Sequence, residues 1–189
     1  MSIITVAPKI RQKGFNSIDV KSIDNQDFEE AYDKITNLVE NISKYNLSLN
    51  DQNILHKIKN SYLKVKQNER LLDDDMILKN HECLEMKSFD DMKAARYFIY
   101  RYKFNIFPKI KKIGDYPPCI QLEPTSVCNF RCVMCYQADK TFSGKSNGFM
   151  GMMSMDTFKK CIDELEGNVE AITFASRGEP TLNKNFEEM

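Results

Sequence analysis

The sequence predicts an α/β protein in which an all-α N-terminal region precedes the first units of a parallel sheet or barrel. Three observations carry that reading. Up to about residue 113, apolar side chains recur at three- and four-residue steps, the period of amphipathic helices. "GDYPP" at Gly114–Pro118 then punctuates the chain. Beyond it the order strand, loop, helix occurs twice, as expected of two βα units.

Taken in order, residues 1–24 show no sustained periodicity and predict a poorly ordered arm. A helical domain is expected over 25–113. "NQDFEEAYDKITNLVENISKY" aligns Phe28, Tyr32, Ile35, Leu38, Val39 and Ile42 on one stripe. A second stripe runs through Ile54, Ile58, Tyr62, Leu63 and Val65, with Ser48 or Asn50 as its cap. "SFDD" at Ser88–Asp91 resembles a capping signal and opens a helix that stops near Pro108. This last helix interleaves aromatics with Arg96, Arg101, Lys103 and Lys109. Aromatics packed inward with cations facing water account for that pattern better than a nucleic-acid surface does.

Residues 117–189 predict the two βα units. "CIQLEPT" reads as a strand, followed by a cysteine-rich loop and the helix "SMDTFKKCIDELEG"; "AITFAS" reads as the second strand, followed by "RGEPTLNKNFEEM" leading into another helix. In parallel α/β folds the loops leaving the strands carry the chemistry. Both unusual segments, the cysteine cluster and "RGEP", fall in those loops.

Composition narrows the function classes. The 189 residues are 42% hydrophobic, enough for a core, and 29% charged with a formal net charge of zero. No global field therefore attracts nucleic acid or an anionic membrane, and neither partner is expected. The N-terminal residues lack the charged-then-apolar order of a secretory signal. No stretch approaches the roughly 20 apolar residues of a membrane span. The expectation is a cytoplasmic protein whose six cysteines stay reduced rather than forming a disulfide framework.

Cys128, Cys132 and Cys135 stand within "EPTSVCNFRCVMCYQ", spaced C-x3-C-x2-C, far in sequence from the only histidines, His56 and His81. Structural zinc takes four ligands, usually from two separated pairs. Here no second pair exists; Cys119 and Cys161 lack pair spacing, and Cys83 lies in the other half of the chain. An iron–sulfur cubane usually takes four thiolates. Three thiolates leave one iron open to an exchangeable ligand, and a compact loop can reach three corners of such a cluster.

"CNFRCVMC" resembles the cysteine motif of radical S-adenosylmethionine (radical SAM) enzymes, and "RGEPTL" resembles their second motif, usually GGEP. The segment "GFMGMMSMDTFKKCIDEL" is similar to the linker between these motifs in SPASM-type members. The resemblance spans about residues 117–189. It implies that Cys128, Cys132 and Cys135 hold a 4Fe-4S cluster whose open iron is chelated by S-adenosylmethionine. It also implies that Gly178 and Glu179 face the methionyl ammonium and that Met134 contacts SAM. The fold it implies is a partial (β/α) TIM-like radical SAM barrel. The activity it implies is reductive cleavage of SAM to a 5′-deoxyadenosyl radical that abstracts hydrogen from an unknown substrate of peptide, carbohydrate or nucleotide type. An electron donor such as flavodoxin or ferredoxin is implied as a partner.

Two positions depart from the family pattern. Arg177 occupies the place of the first glycine, and Met134 stands where an aromatic often packs near adenine. A complete (β/α)8 barrel takes roughly 250 residues, so the length predicts an N-terminal fragment that is inactive by itself. The alternative is a non-catalytic iron–sulfur or zinc electron-transfer module with a helical interaction domain.

Overall fold

A computed structural model describes residues 24–174 and 176–189. The predicted arm over 1–24 lies outside the described residues except for Asp24. The chain divides into two compact units, one ending at Gly114 and one spanning Asp115–Met189.

The first unit is helical. Helix α1 (Asn25–Glu40) begins at Asp24, whose carboxylate accepts the Gln26 N–H, and it buries Ala31, Ile35 and Leu38. Helix α2 (Leu49–Lys66) is capped by Ser48 and buries Ile54, Leu55, Ile58, Ser61 and Tyr62. A short helix, α3 (Asn80–Met86), precedes α4 (Asp91–Ile106). Asp90, rather than Ser88, caps α4 by accepting the Lys93 N–H at 2.8 Å. The aromatics of α4 do pack inward, with Tyr97, Phe98 and Tyr102 buried. Arg101 turns back to pair with Glu82, which is fully buried. His56 and His81 are exposed.

Helical periodicity does not anticipate the segment before α3, where Met76, Ile77 and Leu78 are buried outside any regular element. Buried backbone needs partners, and side chains provide them. The Met76 N–H donates to Ser61 Oγ, the Leu78 N–H to the Tyr62 hydroxyl, and Tyr102 donates to the Asp74 carbonyl. Asp75 completes the arrangement by accepting from the Leu72 N–H, Ser61 Oγ and Lys64 Nζ.

In the second unit, β1 (Cys119–Gln121) pairs in parallel with β2 (Ala171–Thr173), with Cys119 opposite Ala171 and Gln121 opposite Thr173. The crossover contains the cysteine loop, the one-turn helix α5 (Lys140–Ser143) and helix α6 (Met155–Leu165). Ser154 caps α6 by accepting the Thr157 N–H. Phe158 of α6 packs toward Phe174, which in turn meets Phe186 edge-on at 5.8 Å.

Two local expectations are corrected. The expected strand over 119–125 is regular only through Gln121, because from Pro124 the backbone bonds to the segment around Gly151 rather than to β2. The helix expected after "RGEP" is replaced by two 3₁₀ turns, Pro180–Leu182 and Phe186–Glu188. Asn183 separates them. Its buried side chain donates to the Pro124 and Met153 carbonyls, fixing the chain in a turn.

Among the described residues, no helix is long and apolar enough to cross a membrane.

Candidate functional site

The cysteine loop leaves the carboxyl end of β1, and its base is bonded on two sides. On one side Thr125 bridges Met152, the Ser126 N–H donates to the Gly151 carbonyl, and the Gly151 N–H donates to Ser126 Oγ at 2.7 Å. The Met153 N–H donates to the Pro124 carbonyl. On the other side lies the "RGEP" turn that follows β2. The Glu179 N–H donates to the Val127 carbonyl at 2.8 Å, one residue before Cys128. Two motifs separated by more than forty residues are thereby joined backbone to backbone.

Gly178 makes this approach possible. Its φ of +81° lies in the left-handed region, and a Cβ there would stand 2.1 Å from the Thr125 carbonyl oxygen. Both the backbone angle and the close contact require glycine. Its N–H donates to Gln137 Oε1 at 3.0 Å.

Within the loop, the Cys135 N–H donates to the Cys132 carbonyl, and the Ala138 N–H to the Cys135 carbonyl. Arg131 Nη1 reaches the Cys128 and Phe130 carbonyls. Cys132 is exposed, while Cys128 and Cys135 are partly so; all six cysteines of the chain are free thiols. Met134 is 87% exposed and Val133 is 96% exposed. Tyr136 meets Phe142 edge-on at 5.6 Å.

Two kinds of group make opposite demands on the three thiols. A single metal ion needs its donors converging within about 2.3 Å of one point. Among the described residues no three His, Cys, Asp or Glu side chains converge in that way. Zinc held by this loop would therefore require the thiols to close in and find a fourth ligand. A cubane asks for the opposite arrangement, thiolates diverging to separate corners. Three free cysteines at C-x3-C-x2-C spacing on one loop are donors of the type such a cluster takes.

Glu179 caps the following turn. Its Oε1 accepts from the Thr181 hydroxyl at 2.8 Å and from the Thr181 N–H. Arg177, in the place of the expected glycine, directs Nε to Glu123 Oε1 at 3.2 Å. That pair links the residues just beyond the two strands. Cys119 lies on β1 and Cys161 on α6, and Cys83 belongs to the helical unit.

Sequence reasoning missed three buried residues that bond to nearby backbone: Gln137 to Ser126, Ser126 to Gly151, and Asn183 to Pro124. A buried polar residue carries no periodic signal. Their neighbourhood was the available clue, since Gln137 and Ser126 each lie two residues from a loop cysteine.

No family model, curated protein or solved structure matches the chain.

Proposed function

We propose that the Asp115–Met189 unit is the cluster- and SAM-binding start of a radical SAM enzyme, with a partial (β/α) barrel as the parent fold. The observation that carries this reading is the Glu179 N–H to Val127 carbonyl bond. It brings the GEP turn to the base of the cysteine loop, where one small cofactor could touch both.

Cys128, Cys132 and Cys135 would hold three corners of a 4Fe-4S cluster. Once bound and reduced by an external one-electron donor, such a cluster would supply the electron that breaks the S–C5′ bond of S-adenosylmethionine, giving methionine and a 5′-deoxyadenosyl radical able to take hydrogen from a substrate. The protein's own contribution is positional. Gly178 brings its backbone against the loop without a side chain between them, and the Glu179 carboxylate offers charge complementary to an ammonium. Arg177, tied to Glu123, holds the turn leaving β2 to the turn leaving β1. Met134 is exposed on the same loop and available to an adenosyl group. A reducing, cytoplasmic setting is the one in which these thiols would stay available to a cluster.

Anaerobic reconstitution with iron and sulfide tests the assignment. Replacing Cys128, Cys132 or Cys135 by alanine should abolish cluster loading, measured as bound iron and visible absorbance. Cys83→Ala and Cys161→Ala should load as the parent does. Unchanged loading in the loop variants would refute the assignment. A cluster insensitive to SAM would instead support the non-catalytic electron-transfer alternative.

A further inference from the structure

We infer that Gln137 is a positioning residue that sets the GEP turn against the cysteine loop and thereby governs SAM affinity without ligating the cluster. The inference rests on the proposed function. Gln137 lies two residues beyond Cys135, in the 3₁₀ turn Tyr136–Ala138, and is only 6% exposed. Its Nε2 donates to the Ser126 carbonyl at 2.7 Å. Its Oε1 accepts the Gly178 N–H at 3.0 Å. The two partners fix the orientation of the amide, since a carbonyl cannot donate and an N–H cannot accept.

One rigid amide thus spans three points: the start of the cysteine loop at Ser126, its end beside Cys135, and the Gly178 turn. The Gly178 N–H to Gln137 and the Glu179 N–H to the Val127 carbonyl are consecutive amides anchored on opposite ends of the same loop. With both bonds made, the turn cannot rotate without breaking a hydrogen bond to the loop, one of them accepted by the buried Gln137 side chain. Leaving a buried donor or acceptor unpaired is costly, so the relative placement of Cys135 and Gly178 is held by this side chain. Cysteines reach a cluster through their own thiols and do not need Gln137. A cofactor spanning the cluster and the turn does.

Gln137→Met keeps the length and removes both bonds; Gln137→Asn keeps the chemistry and is one methylene too short to make both. In the unreconstituted full chain, each should accelerate exchange of the Gly178 amide proton, followed by NMR, while amides of α4 exchange as before. In the reconstituted chain, each should bind as much iron as the parent. Each should also raise the SAM concentration giving half of the change in the reduced cluster's EPR spectrum by about tenfold, the effect of roughly 1.4 kcal/mol. Parental SAM response in both variants, or iron loss matching the SAM loss in both, would overturn the inference alone. A parent chain that loads no cluster, or whose cluster ignores SAM, would overturn the proposed function and this role with it. The Gly178 exchange rate would still report whether the latch exists.

Discussion

Gly178 turns so closely against Thr125 that a Cβ would stand 2.1 Å from the Thr125 carbonyl oxygen. The obstacle is backbone, which cannot swing aside as a side chain would. Gly178→Ala should therefore destabilise the Asp115–Met189 unit by about 2 kcal/mol or more. Hydrogen exchange should show this at the Leu122 amide, which donates to the Thr173 carbonyl. Amides of α2 should be unaffected. Unchanged exchange at Leu122 would mean that the turn does not pack as described.

Thiol chemistry should separate the cysteines sharply. Cys83 is 2% exposed, and burial, with Asp27 and Glu82 nearby, pushes its thiol up to about 12. Against an ordinary thiol near 9 this leaves on the order of a thousandfold less thiolate. Cys132 is exposed. Brief alkylation of the native, cluster-free chain, mapped by mass spectrometry, should label Cys132 first and Cys83 only after denaturation. Early labelling of Cys83 would contradict the packing of α3.

The helical unit should lose stability in acid through Asp75. Burial alone would raise its carboxyl, but hydrogen bonds from the Leu72 N–H, Lys64 and Ser61 together hold it below the ordinary carboxylate range. A depressed folded value means that the stabilisation is complete above the unfolded value and is lost as pH falls through the folded one. Denaturant midpoints followed by helical circular dichroism should drop across that interval, and Asp75→Asn should flatten the drop while lowering stability at neutral pH. An equally steep acid profile in Asp75→Asn would assign the effect to other carboxylates.

Breaking the Glu82–Arg101 pair should be more damaging than breaking the exposed ion pairs of the same unit. Glu82 is fully buried and also accepts the Lys79 N–H at 2.8 Å. Arg101→Leu would leave its carboxylate buried without a cation, at a cost of about 3–5 kcal/mol. Lys66→Ala, which removes the cation of the solvent-exposed Lys66–Glu29 pair, should shift the denaturation midpoint far less. Chemical denaturation of the two variants compares them directly.

The helices were legible because their signal is periodic. Ile35, Leu38, Ile54, Ile58 and Tyr62 repeat at helical spacing, and all five are buried. Met76–Leu78 were not legible, since the segment is held by hydroxyl partners contributed by α2 and α4, Ser61, Tyr62 and Tyr102, rather than by any local pattern. At the site, the residue types drew attention to the cysteines and to Gly178. What holds those segments together lay outside the motifs, in Gln137, Ser126 and Asn183. The first strand came out shorter than expected because Pro124 opens a stretch that bonds to the Gly151–Met153 segment.

The proposed function requires that Cys128, Cys132 and Cys135 hold a cluster with one iron open to SAM. The most direct measurement is EPR spectroscopy of the anaerobically reconstituted, dithionite-reduced chain, with and without SAM. The account predicts a 4Fe-4S signal whose g-values shift when SAM is added. Replacing Cys128, Cys132 and Cys135 together by alanine should abolish both the signal and the shift. A signal that ignores SAM, or one that survives in the triple variant, would contradict it.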